Sequence, residues 1–409
     1  MHEADPAALS AALDRVVGLI DDDRPGPAAT EAAALRVRFP RDAEAARLHG
    51  IALLQLGRPD AARAALDDAR RLAPQSIEVL CNLGSALLAG GDAAAAVATL
   101  EQARALSPAH PAALNGLGNA LRAAGDAAGA RDAYAHATRA SPQHVGAWFN
   151  LAAARLALGE YAAAERDARH ALALAPGHPQ GLLLLGHILA AQRRHAEAEA
   201  AYAAGARAAP GDARFPYQCG LMAEEQHRHA AAAAAHARAL TLDPGLDHAL
   251  GQLVFLRRQL CDWRDLDALS DRLRARVAAG APGIAPFGFL SEPAGADEQL
   301  RCARTCAAGI EAAAGPLRDR LAFDSVRPPV AAPLRLGLVS NGFGNHPTGL
   351  LIVAMLEALG DERGLDIHLL STGADDGSPI PARLRAAAGP WPEAGQLPPA
   401  ALAAHIHAR

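Results

Sequence analysis

The sequence predicts a mainly α protein, a right-handed α-solenoid superhelix of two-helix repeats, followed by the start of an α/β, Rossmann-like lobe. Three observations carry that expectation. The prolines Pro40, Pro74, Pro108, Pro142, Pro176, Pro210 and Pro244 succeed one another at a constant step of 34 residues. The apolar fraction of 51% is supplied largely by alanine, with aromatics at only 4%, which suits closely packed helices and is poor for a β-sandwich. From Leu334 the helical pattern gives way to a short β-type run, LRLGLVS.

The small residues keep the step of the prolines. Gly50, Gly84, Gly118, Ala152, Gly186 and Gly220 form one series, and Ala62, Ala96, Ala130, Ala164, Ala198 and Ala232 another. A period of 34 is that of the tetratricopeptide repeat. Two antiparallel helices that cross closely leave no room at the crossing for more than Gly or Ala. Gly57, Gly91, Gly125 and Gly159 fall between the helical halves, where a left-handed turn costs little without a Cβ. The recurring proline marks the end of the second helix, which it cannot continue. The unit at residues 9–42 keeps Pro40 but has Val16 where Gly is usual, and reads as an atypical N-terminal cap. Residues 1–246 are thus expected to form seven units, 247–330 a helical cap and linker, and 331–409 the beginning of a lobe.

A net charge of −5 and a pI near 6.4 supply no basic stripe, so nucleic acid is set aside as a partner. Cys81, Cys219, Cys261, Cys302 and Cys306 are scattered, without a CxxC pair, and indicate neither a disulfide framework nor a metal site, although Cys302 and Cys306 could share a helix face. The N-terminus lacks a signal-peptide pattern and no long apolar run follows, so the chain is expected in the cytoplasm, away from membranes. His187, His195, His227, His229 and His236 keep no consistent ligand spacing and are expected to be solvated.

After Pro244 the repeat signature fades into one or two helices, a Gly- and Pro-rich loop, and a helical stretch to about Arg320, before RPPVAAP marks a linker. Then come LRLGLVS, the turn NGFGNHPTG, the apolar helix LLIVAMLEAL, and a second strand at residues 365–372. That order is a βαβ unit, with its Gly-rich loop at the carboxyl end of a strand, where sites in parallel sheets lie. A dinucleotide fingerprint is not met. Pro347 stands where the third glycine would be and no acidic residue ends the second strand, so no nucleotide cofactor is expected.

Read as a whole, the loop closely resembles the signature of protein O-GlcNAc transferases, with Phe343, Gly344, His346, Pro347 and Thr348 matching a Phe-Gly-x-His-Pro-Thr turn. Asp375, Asp376, Gly377 and Ser378 resemble the turn after the family's second strand, and QLCDWRDLDAL resembles its segment after the last repeat, where Cys261, Asp262 and Trp263 are expected to serve packing. The resemblance covers nearly the whole chain. It implies a GT-B type, inverting, metal-free enzyme that moves GlcNAc from UDP-GlcNAc to Ser or Thr of a protein or peptide acceptor held in the groove of the repeats. It also implies that His346 lines the cleft, with Phe343, Gly344, Asn345 and Thr348 on the substrate side. The imidazole could take the acceptor's proton or hydrogen-bond the sugar, or it could cap the following helix.

In the family, asparagines on the inner helices grip the acceptor backbone, an amide being able to donate and accept. Asn82 and Asn150 stand at the matching place, whereas Leu48, Gly116, Leu184 and Gln218 hold the others. The groups expected to neutralise the diphosphate belong to a second lobe that HIHAR does not reach, so this chain alone is expected to be inactive. Two further readings stay open: a non-catalytic binding scaffold, and a protein O-fucosyltransferase that uses GDP-fucose as do the similar SPINDLY-like enzymes. Self-association through the repeats also stays open.

Overall fold

The computed structural model describes residues 6–321, 334–359, 365–373, 376–388, 397 and 399–407. The RPPVAAP linker and Asp375 lie outside the described residues. The chain divides into two compact units, Met1–His227 and Arg228–Arg409.

The first unit is helical: α1 (Pro6–Asp21), α2 (Pro25–Arg38), α3 (Ala43–Gln55), α4 (Pro59–Leu72), α5 (Ile77–Ala89), α6 (Ala93–Leu106), α7 (Pro111–Ala123), α8 (Ala127–Ala140), α9 (Val145–Ala157), α10 (Tyr161–Leu174), α11 (Pro179–Ala191), α12 (His195–Ala208) and α13 (Arg214–Glu225). Each odd-numbered helix to α11 packs on the even-numbered one that follows, giving a run of hairpins. The first helices of neighbouring hairpins also pack on one another, α1 on α3, α3 on α5, α5 on α7 and α9 on α11. That closeness puts the first helices on the inner side of the stack.

Local chemistry explains where the helices begin and end. The side chains of Asp42, Ser76, His110, His144 and His178 accept hydrogen bonds from the backbone N–H groups of Ala45, Val79, Ala113, Ala147 and Gly181. Each satisfies a donor that the first turn leaves without an intrahelical partner. These caps follow the repeat period, and three of the five are imidazoles, which accept through a neutral Nδ1. The second helices stop just short of the prolines, α4 at Leu72 and α6 at Leu106 for example. Within the hairpins, Gly57, Gly91, Gly125 and Gly159 take φ of 67°, 81°, 85° and 77°. Arg193 at the same register is held at φ 59°, a conformation that an L side chain enters at a cost.

The crossing of the two helices is a volume rule. A Cβ on Gly50 would lie 2.4 Å from Leu66 Cγ, one on Gly84 2.6 Å from Leu100 Cγ, one on Gly118 2.4 Å from Tyr134 Cε1, and one on Gly186 2.2 Å from Tyr202 Cε1. All four partners occupy the same place in the second helix and are fully buried. Where the first helix carries bulk, the partner shrinks: fully buried Val16 shares a core cluster with Ala32, and Ala152 one with Ala168, where Ile188 fills in.

The second unit comprises α14 (His229–Leu242), α15 (Asp247–Gln259), α16 (Leu266–Ala278), α17 (Pro286–Phe289), α18 (Ala296–Leu321), β1 (Leu334–Ser340), α19 (Pro347–Leu359), β2 (Leu365–Ser371), α20 (Pro379–Ala388) and α21 (Pro399–His407). The Gly- and Pro-rich stretch expected to be loop contains α17. A buried network ties α15 and α16 to the segment after it: Arg258 Nε donates to Glu292 Oε1 at 2.8 Å and its terminal nitrogen to Ser270 Oγ at 2.7 Å, and Ser270 Oγ donates to Glu292 Oε2 at 2.6 Å. β1 and β2 pair in parallel from Leu334↔Leu365 to Ser340↔Ser371. Val353 and Leu356 of α19 and Ile380 and Leu384 of α20 close over Leu369 to form a small core.

Two expectations are corrected in this unit. His236, expected in solvent, is wholly buried, because it stands in α14 at the register that Leu66, Leu100, Tyr134 and Tyr202 fill in theirs. The expected packing role of the Cys-Asp-Trp run is not seen: Cys261 is exposed in the left-handed turn region at φ 52° and Trp263 is 66% exposed. Asp262 instead pairs with Arg264 at 2.8 Å. The Arg264 bond holds its carboxyl down to about 2.

Candidate functional site

The sequence-predicted residues fall in two places, one in each unit, and only those of the second unit are brought together. On the inner helices of the first unit, Asn82 lies half-buried on α5 and Asn150 half-buried on α9. Asn150 does not stand alone: its Nδ2 donates to Oδ1 of Asn115 on α7 at 3.0 Å, across neighbouring hairpins. One turn along the same face of α7, Asn119 Oδ1 accepts from the hydroxyl of buried Tyr134 at 2.7 Å. Burial raises the Tyr134 pKa, so the phenol keeps its proton for that bond. Of the other inner positions, Leu48 is buried, Gly116 has no side chain, and Leu184 and Gln218 are half-buried, so among them only Gln218 adds an amide.

Asn115 and Asn119 are the residues that sequence reasoning missed. Asn115 precedes the expected register by one position and Asn119 follows it by a turn, so a search at fixed spacing passes over both.

A cleft of about 520 Å³ opens elsewhere, between α2, α3 and α4, lined by Arg36, Val37, Phe39, His49, Asp68 and Leu72 among others. Its polar groups serve one another. Arg36 donates to Asp68 and lies 2.9 Å from His49 Nδ1. Burial first, and then the charges of Arg36 and Arg58, lower the pKa of His49.

In the second unit the NGFGNHPTG turn sits at the carboxyl end of β1, beside that of β2: Thr372 N–H donates to Ser340 O at 2.9 Å. Its construction is tight. A Cβ on Gly342 would meet His346 Nδ1 at 2.6 Å, one on Gly344 would meet Asp376 Oδ2 at 2.3 Å, and one on Gly349 would meet Gly344 O at 2.3 Å. Glycine is therefore required here by close approach rather than by backbone conformation. The Asp376 carboxylate accepts from Asn345 N–H at 2.5 Å and from Ser378 N–H at 3.0 Å. The Ser378 side chain and these backbone donors hold Asp376 below the usual carboxylate range.

Phe343 is buried with Val353, Leu356 and Leu369, so its ring anchors the loop in the core. Asn345 and His346 are exposed, and Gly344 and Thr348 half-buried. His346 caps α19: Thr348 N–H lies 3.3 Å from Nδ1, with Thr348 Oγ1 at 3.2 Å. For Nδ1 to accept from that backbone group the ring proton must be on Nε2. In this arrangement the imidazole donates through Nε2. Among the described residues no group of three or more His, Cys, Asp or Glu gathers to hold a metal ion, and no helix is long and apolar enough to cross a membrane.

A family model for the tetratricopeptide repeat matches residues 13–77, 81–145, 123–179, 149–213 and 183–247. Among solved structures the chain is similar to YrrB, a repeat protein described as having an unusual peptide-binding site, at 20% identity and TM-score 0.39 over 44% of this chain and 94% of that one. It is similar to TTC0263 of Thermus thermophilus at 24% identity and TM-score 0.39, over 44% of this chain and 98% of that one. Cut9–Hcn1 of the APC/C aligns at 14% identity and TM-score 0.48, over 72% of this chain and 55% of that one. No curated protein matches.

Proposed function

The chain belongs to the tetratricopeptide repeat family, and on that premise we propose that its inner helices hold an extended segment of a partner protein. The observation that carries this reading is the run of half-buried amides on the first helices α5, α7 and α9, two of which, Asn115 and Asn150, are hydrogen-bonded across neighbouring hairpins. Stacked hairpins provide a long surface, and amides match the alternating donors and acceptors of an unpaired backbone. A direct test is a titration of the purified chain against unstructured peptides by fluorescence polarisation. Saturable binding supports the reading, and its absence across a broad peptide pool removes it.

The finer reading adds catalysis. The region from Leu334 would be the first part of an inverting glycosyltransferase of the protein O-GlcNAc transferase type, acting on Ser or Thr of the held segment with UDP-GlcNAc as donor. Its support is the resemblance at Phe343, Gly344, His346, Pro347 and Thr348, together with the loop's place at the carboxyl ends of two parallel strands. In this reading Asn345, Gly344 and Thr348 border the acceptor or sugar, while Phe343 fixes the loop from beneath. His346 then hydrogen-bonds the sugar or the acceptor oxygen through Nε2–H, because Nδ1 is committed to the helix cap. Asn82 and Asn150 would belong to the acceptor site. Incubating the chain with UDP-GlcNAc or GDP-fucose and peptide acceptors separates the readings. Turnover abolished by His346→Ala supports catalysis and names the sugar. Peptide binding without turnover of either donor leaves the scaffold as the function of this chain.

A further inference from the structure

We propose that the cleft between α2, α3 and α4 binds a small amphiphile, a carboxylate carried on an apolar body, with the body against Val37, Phe39 and Leu72 and the anionic end on Arg71. This site lies at the junction of the first two hairpins and does not rest on the peptide-holding reading.

Three departures from the repeat make the cleft. α3 carries Ala46 where α5, α7 and α15 carry the buried leucines Leu80, Leu114 and Leu250. It carries half-buried His49 where the same helices carry buried Leu83, Leu117 and Leu253. α2 carries Ala33 where α4 and α6 carry Asp67 and Glu101. Arg70 and Arg104 pair with those acids one turn back, at 3.0 Å and 2.6 Å. Arg36 stands at their register with no such acid on its own helix, and it reaches across to His49 and Asp68 instead. Val79, which stands where α7 and α9 have Ala113 and Ala147, packs on Ala46 and takes up part of the missing leucine. What remains belongs to the cleft, about 520 Å³ in all. Close-packed interiors leave few voids larger than a water molecule, and this volume falls within the range of about 300–1,000 Å³ found for small-molecule sites.

The walls decide the ligand. Val37, 85% exposed, lines the cleft together with Phe39 and Leu72, so an apolar body gains by leaving water there. The polar groups beside them are already engaged. Arg36 gives one terminal nitrogen to His49 Nδ1 and the other to Asp68, and the Asp42 carboxylate faces the N-terminus of α3, accepting from Ala45 N–H at 2.7 Å. Arg71 differs. Its side chain is 76% exposed and gives one terminal nitrogen to Asp68, which leaves further N–H donors for an anion. Two guanidiniums thus share the single carboxylate of Asp68, and the positive charge left over lies at the cleft. A carboxylate can pair with Arg71 while both stay largely in water, so the ion pair carries little desolvation cost.

Isothermal titration calorimetry of the whole chain with octanoate reads the site. Saturable binding is expected, and octanamide, with the same tail and no charge, is expected to bind about tenfold more weakly. Arg71→Gln leaves Asp68 its bond to Arg36 and should remove the difference between the two ligands. Ala46→Leu combined with Val79→Ala rebuilds the Leu80/Ala113 pair of the next hairpin and fills the space. It should weaken both ligands about tenfold or more, with the urea midpoint at or above that of the parent. A parent that fails to bind octanoate at millimolar concentration overturns the proposal, as does parent-like octanoate affinity in both variants. Binding of a peptide with a C-terminal leucine in the absence of octanoate binding also overturns it, and gives the cleft to a polypeptide end.

Discussion

The volume rule at the helix crossing can be tested by exchanging one pair for another that the chain already contains. Gly50→Val alone places a Cβ where Leu66 Cγ lies 2.4 Å away, and overpacking of this kind costs about 1–3 kcal/mol or more. Leu66→Ala alone empties a fully buried site, at about 2–5 kcal/mol depending on how far the cavity relaxes. Together they recreate the Val16/Ala32 pair of the first hairpin, which holds the same number of side-chain carbons as Gly50/Leu66. The valine methyls then occupy the space that the leucine vacates, and replacing Gly within α3 returns a few tenths of a kcal/mol of helix propensity. The double variant should lie within about 1–2 kcal/mol of the parent, a favourable coupling of at least about 1 kcal/mol. Urea denaturation followed by far-UV circular dichroism supplies the four midpoints. If the double variant is no more stable than the worse single one, the crossing is not governed by paired volume and the reasoning fails.

Other consequences are open to measurement. Removing Arg258 by Arg258→Leu leaves the buried Glu292 carboxylate without its partner and should cost the second unit about 3–5 kcal/mol; a change below 1 kcal/mol would show the network to be incidental. Burial and neighbouring arginines lower the pKa of His49, and burial with Arg214 that of His187. The unfolded chain therefore binds protons first, and this part of the stability is full above about pH 6.5 and lost as pH falls through the folded-state values. A His49→Gln, His187→Gln double variant should lose less of its urea midpoint than the parent between pH 7.5 and pH 5; equal losses would count against it. Burial pushes the Cys81 thiol up to about 11 and raises that of buried Cys302, whereas Cys261 is exposed, so alkylation at pH 8 read by peptide mass should mark Cys261 well before Cys81 and Cys302. At the turn register, Arg193→Gly should raise stability by up to about 1 kcal/mol, since φ 59° strains the arginine; a lowered urea midpoint would assign the arginine side chain a compensating contact.

Much of the helical fold was legible because the repeat writes its constraints in residue types with few substitutes. Proline ends helices, glycine takes the turn, and small residues sit at crossings, so a constant spacing exposes all three. The same spacing also marks core and cap positions that residue type disguises. His236 stands at a core register and is buried, although its residue type suggested solvent. His110, His144 and His178 follow Asp42 and Ser76 as helix caps, a role that imidazole shares with hydroxyl and carboxylate only through its lone pair.

The proposed binding face was less legible. Asn150 was found at its register, but its partner Asn115 comes from the preceding hairpin, and Asn119 gains its orientation from Tyr134 in the other helix of its own hairpin. Periodicity fixes which position a residue holds and not how far a neighbour's hydroxyl reaches. In the second unit, strand, loop and helix were readable from the alternation of apolar and Gly-rich segments, and Pro347 does open α19. The place of Phe343 beneath the loop depends on packing against α19 and β2, which a local motif does not encode.

The central claim, that the inner helices hold an extended polypeptide, is tested most directly by amide and side-chain NMR of the chain titrated with the unstructured peptide pool. The account predicts shifts concentrated on the side-chain NH₂ groups of Asn82, Asn115, Asn119 and Asn150 and on the backbone of α5, α7 and α9. Shifts confined to the second helices, or none at all at saturating peptide, would contradict it.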